Sequence, residues 1–146
     1  MTPKTMDLRT ELIKKINMQK ILSAEETLPV VSLEDFFSGN FDCGSIGCNL
    51  PNCPGPKVFS EILTGIREND SVQDVLVEVN EVVEDAPEQW PFSDRIYVLS
   101  SASINDVRAW LAPLRPDEVS EGWTSGIPPA APMLNPNVKV YAAWWD

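Results

Sequence analysis

Apolar residues recur at helical spacing near the start of the chain: Leu8, Leu12, Ile13, Ile16 and Leu22 share one stripe, and lysines occupy the other faces. The spacing predicts an amphipathic helix over 7–22 with Asp7 as N-cap. A short apolar run from Leu28 to Val31 leads into Ser32-Leu33-Glu34-Asp35, where Ser32 can cap a second helix and Asp35 stands at the capping-box position. Gly39-Asn40 ends that helix. Residues 40–56 are rich in Gly, Pro, Cys and Asn and follow neither period, so a long loop is expected. Val58, Phe59, Ile62, Leu63 and Ile66 then resume the helical pattern. In 72–83 the pattern becomes alternating, with Val75, Val77 and Val79 set against Leu76, Glu78 and Asn80, a strand with one buried face. Prolines break the pattern over 84–94, and 95–99 is a second strand. Ser103 caps a helix through Val107, Trp110 and Leu111 that Pro113 and Pro116 terminate. A Pro- and Gly-rich loop over 122–136 precedes a third strand, 138–145.

Strands and helices do not alternate as βαβ units and no repeat is present. The expectation is a single α+β domain over 1–146, a small, mainly antiparallel sheet with helices packed on one face.

Charge narrows the function. The chain of 146 residues carries a net charge of -11 and no histidine. Without histidine, Ser-His and Cys-His nucleophile pairs and His-ligated zinc are excluded. The acidic balance argues against nucleic acid and anionic membranes as partners, because binding phosphate needs Lys and Arg. Residues 1–22 are nevertheless net +3 against -14 for the rest, which suggests that the first helix docks on its own acidic body. The first 20 residues lack the apolar core of a secretory signal, and no run reaches the ~18 apolar residues of a spanning helix. Three cysteines within 11 residues, an odd number, do not read as a disulfide framework. A reducing, cytoplasmic location follows as the expectation.

Four groups of residues bear on chemistry. Cys43, Cys48 and Cys53 lie beside Asp42 in the long loop, and thiolates with a carboxylate can hold zinc, but the four-residue gaps are not those of a zinc knuckle. The glycines of that loop neither follow a strand nor accompany a Lys or Arg, so phosphate-loop readings fail. From Glu68 to Asp94 there are nine carboxylates and no Lys or Arg, either a solvated face or a steering surface for a basic partner. Trp90 lies among them between prolines, as a packed anchor or an interface hot spot. Any carboxylate pair acting as in a glycosidase depends on a separation that sequence does not give.

The strings LEDFFSGN, GSIGCNL, WPFSD and the closing WWD resemble those of small acidic bacterial proteins of uncharacterised function, some of them similar to immunity proteins that neutralise polymorphic toxins. The resemblance covers about half the chain, adds weight to a binding role and identifies no catalytic residues. The resulting expectation is a non-enzymatic module without cofactor that binds a basic protein, such as a toxin or nuclease. Its contact residues are Asp74, Glu78, Glu81, Glu84, Asp85, Glu88 and Trp90. The alternative is an enzyme or metal protein centred on the Cys43/Cys48/Cys53 loop.

Overall fold

A computed structural model describes residues 3–23, 27–51 and 54–146. In chain order it contains helix α1 (Pro3–Leu22), strand β1 (Val30–Ser32), helices α2 (Leu33–Phe37) and α3 (Gly55–Arg67), strands β2 (Val72–Glu78) and β3 (Arg95–Ser100), helix α4 (Ile104–Leu111), and strands β4 (Glu118–Glu121) and β5 (Lys139–Trp144). Short 3-10 turns at Cys43–Ser45 and Ala112–Leu114 complete it. The strands form one antiparallel sheet in the order β1-β2-β3-β5-β4. The fold is α+β.

The alternation in β2 decides which residues meet which layer. Val75 and Val77, with Ile96, Val98, Tyr141 and Ala143 from neighbouring strands, face a core that also takes Leu12 and Ile16 of α1, Phe36 of α2, Phe59 and Leu63 of α3, and Val107 and Leu111 of α4. All four helices therefore cover one face. The opposite face is buried as well: Val30, Leu76, Tyr97, Leu99, Val140 and Ala142 pack under Trp123 and Val138 of the long loop before β5. The expectation of one buried face on β2 is corrected here, because that Pro-rich loop crosses the sheet instead of standing off it.

Local signals hold where side chains act on their own backbone. Ser32 Oγ accepts from Asp35 N at 3.0 Å, and Ser103 Oγ accepts from Asp106 N at 3.2 Å. Asp7, by contrast, lies inside α1, which starts four residues earlier at Pro3, a residue pre-shaped for a first helical turn. β2 stops at Glu78 and does not run to residue 83. The Phe92 carbonyl accepts from both Asn80 N and Glu81 N, at 2.8 and 3.4 Å, so the ladder slips and gives way. The short edge strands β1 and β4 carried no periodic signal. β1 is shielded by Gln19 of α1, whose side-chain amide donates to the Val30 carbonyl at 2.7 Å and accepts from its N–H at 3.0 Å, standing in for a neighbouring strand.

Candidate functional site

The connection from β2 to β3 carries most of the acidic residues and is built from two successive turns. Ala86 N donates to the Val83 carbonyl at 3.3 Å and Gln89 N to the Ala86 carbonyl at 2.9 Å. Glu84 and Asp85 occupy the centre of the first turn, Pro87 and Glu88 that of the second, where proline's fixed φ is favoured. Glu81, Glu84, Asp85 and Glu88 are all exposed. The carbonyls of Val83, Ala86 and Gln89 are turned inward, and there they meet Arg9.

Arg9 is a buried residue of α1, 7% exposed. Its Nε donates to the Gln89 carbonyl at 2.8 Å, and one terminal nitrogen donates to Val83 at 2.7 Å and to Ala86 at 3.2 Å. One planar guanidinium thus ties both turns to the helix. Asn17 adds a hydrogen bond to Glu84 at 3.2 Å, and Lys15 pairs with Asp35 at 2.8 Å. The first helix does dock on the acidic body, through Leu12 and Ile16 buried in the core and through a cation that donates to carbonyls.

The loop is also held from beneath. Asp42 accepts from Gly44 N at 2.9 Å and from Trp90 N at 3.0 Å, while Ser93 N donates to the Ser45 carbonyl at 2.8 Å. A hollow of about 310 Å³ lies between the two loops, lined by Asp42, Gly44, Glu81, Val83, Gln89, Trp90 and Phe92.

Two residues of the expected contact set leave it. Trp90 is 4% exposed and packs in the main core, so it anchors the loop and offers no surface to a partner. Glu78 is 1% exposed on the opposite sheet face. It accepts from the Tyr97 hydroxyl at 2.7 Å and stands 3.8 Å from Arg95, whose guanidinium donates to Thr124 at 2.7 Å. Asp74 is half-buried and bonded to the N–H of Val75, at the far end of β2 from the acidic turns, roughly 20 Å away by strand rise. It lies in the field of Arg67, which is held charged first by its hydrogen bonds to Glu34. The structure therefore gathers Glu81, Glu84, Asp85 and Glu88 on one loop and separates the rest.

Around Glu78 the polar groups pin the covering loop. The Tyr97 hydroxyl shares a 2.9 Å hydrogen bond with the Thr124 hydroxyl, and the Trp123 ring meets Tyr97 edge-on with centroids 4.7 Å apart. Burial pushes the Tyr97 hydroxyl up to about 12. Burial likewise raises the Glu78 carboxyl above the usual carboxylate range, against the opposing hydrogen bond from Tyr97 and the charge of Arg95. Between the ordinary value of 4.5 and the raised one the folded protein binds the extra proton, so this group's contribution to stability falls as pH rises through that window. Glu78→Gln keeps an oxygen for Tyr97 and removes the buried charge. We expect the variant to melt above the wild type at pH 7–8, with the gain vanishing below ~pH 4, where the carboxyl is neutral in both states. Melting temperatures across pH check this, and a variant that loses stability as pH rises contradicts it.

The cysteine loop departs from expectation. Cys43 is disulfide-bonded, Cys48 is an exposed free thiol, and Cys53 lies outside the described residues. Three ordinary thiols were expected because an odd count hides a pair; the bond removes Cys43 as a thiolate ligand and withdraws the cysteine argument for a reducing location. Among the described residues no cluster of Cys, Asp and Glu is placed to hold a metal ion, and no helix is long and apolar enough to cross a membrane. Arg9, which shapes the acidic loop, was not singled out from sequence, and Asp42 was noted only as a companion carboxylate to the cysteines. Arg9 was detectable, because it precedes Leu12 by three positions and Ile16 by seven on the apolar stripe.

A family model described as "Uncharacterized protein YfbO family" matches residues 7–143. A relative from Escherichia coli (strain K12), "Uncharacterized protein YfbO", is 37% identical over 119 residues, which cover 81% of this chain and 83% of the relative. No solved structure matches the chain.

Proposed function

The chain belongs to the YfbO family, a bacterial family by its relative, and on that footing we propose that it is a non-enzymatic module whose acidic loop, residues 81–88, receives a basic protein partner. The observation that carries this reading is the Arg9 clamp. Carboxylates that serve solubility alone need no fixed backbone, whereas here one buried guanidinium holds three carbonyls so that Glu84, Asp85 and Glu88 project from rigid turns. A preformed anionic surface speeds encounter with a cationic one and loses little entropy on binding. Neutralising a basic toxin, the immunity-like role, is the sharpest form of this function, since such a partner supplies the complementary charge.

The test begins with capture of a basic partner from the source organism and continues with kinetics. The variant Glu81→Gln, Glu84→Gln, Asp85→Asn, Glu88→Gln is expected to fold normally and to associate about tenfold or more slowly at low salt, most of the loss falling in the on-rate. An unchanged on-rate rejects the reading.

A further inference from the structure

The acidic loop rests on the loop that carries the disulfide, and we propose that the Cys43 disulfide is a redox gate on the acidic surface: while it is closed the surface keeps its shape, and its reduction loosens residues 81–94. The inference rests on the binding reading for its consequence, although its mechanical part stands alone.

Three contacts connect the two loops. Asp42, adjoining Cys43, caps the 3-10 turn through Gly44 N and receives the Trp90 N–H at 3.0 Å. Two residues past Cys43, the Ser45 carbonyl accepts from Ser93 N at 2.8 Å, and Ile46 bridges Ser93 in parallel. Asn40 donates to Ser45 Oγ at 2.9 Å and its side-chain oxygen accepts from Asp42 N at 3.0 Å, so the segment around Cys43 moves as one piece. Trp90 and Ser93, both at the β3 end of the acidic connection, are bonded to residues within two positions of Cys43.

The same segment is otherwise attached mainly by Ile46, which is buried in the core. Cys43 and Gly44 are exposed, and 40–54 contains no helix or strand beyond the single 3-10 turn among the described residues. Gly47, at φ +64, keys the loop to α3, where a Cβ would come within 2.6 Å of the Phe59 ring. Upstream of that point Ile46 is buried in the main core and Asn40 and Ser45 are buried too, so the disulfide and the short-range hydrogen bonds act on the more exposed stretch 41–44 between them. A position 4.0 Å from the Cys43 sulfur is where a side chain on Gly55 would begin, so the bond sits beside the first residue of α3, and a thiolate released there meets the positive end of the helix dipole.

The chemistry needs a dithiol reductant. One of its thiolates attacks the disulfide, forming a mixed disulfide and expelling one cysteine as thiolate. The second thiolate of the reductant then displaces the other cysteine. The reductant leaves as a disulfide, and the protein has gained two electrons and, once its thiolates are protonated, two protons.

The experiment is hydrogen exchange by mass spectrometry on the full chain, oxidised and then reduced with dithiothreitol, with no partner present. Reduction is expected to speed exchange of the Trp90 and Ser93 amides at least tenfold while β3 and β5 keep their protection. Cys43→Ser should show the fast pattern without reductant, and Cys48→Ser should behave as the wild type in both states. Equal rates at Trp90 and Ser93 in the two states overturn the gate, and so does simultaneous loss of protection throughout the sheet, which would make the bond a general staple. If the loop loosens on reduction and a separate measurement of partner association in the two redox states shows no difference, the binding reading fails and the mechanical part of the proposal stands.

Discussion

Trp90→Ala is expected to destabilise the protein by about 3–5 kcal/mol, the range for removing a large aromatic from a packed core. Trp90 is 4% exposed and joins a cluster that includes residues from the helices and from the sheet, so its removal opens a cavity against several elements at once. Its indole Nε1 has no hydrogen-bond partner among the described residues. Trp90→Phe, which deletes that donor and keeps most of the ring, should therefore cost distinctly less than the alanine variant. Denaturant unfolding of both variants checks the pair. A loss below about 1 kcal/mol for Trp90→Ala would show that the ring is not part of the core.

Arg9→Ala is expected to cost about 2–4 kcal/mol and to loosen the acidic turns. Three hydrogen bonds from a charged donor end together, at Val83, Ala86 and Gln89. The loss stays below three times a single charged bond because the released carbonyls can turn to water on this outer loop. Arg9→Lys should recover only part of it, since an ammonium cannot reproduce the planar fork. Urea melts combined with exchange rates across 83–89 separate the outcomes. A variant as stable as the wild type, with the loop equally protected, would remove the clamp from this account.

Much of this fold was legible because its signals are local. Ser32 and Ser103 cap helices by bonding backbone three residues on, and the alternation of β2 and the β-branched run of β3 need no distant partner to be recognised. β1 and β4 were not legible, since three and four residues carry no period and pairing with β2 and β5 makes them strands. Chain order placed Glu78 and Trp90 among exposed acids, yet the structure buries both. Glu78 faces the covered side of the sheet beside Tyr97, and Trp90 lies in the main core with its N–H held by Asp42, 48 residues away. Asp74 fell into the same charge run, although a strand's length separates it from the turns. The odd cysteine count concealed the bonded Cys43, because an odd number is compatible with one pair and one free thiol.

The dependence of the association rate on salt tests the central claim most directly, with the captured basic partner and chains whose Glu81, Glu84, Asp85 and Glu88 are intact or converted to amides. Screening weakens attraction between exposed charges as the Debye length shrinks from about 30 Å at 0.01 M to about 8 Å at 0.15 M salt. The intact chain should therefore lose about an order of magnitude in on-rate over that range, and the amide variant should show a shallow slope and start from the lower value. Identical slopes for the two chains would contradict a steering role for the acidic loop.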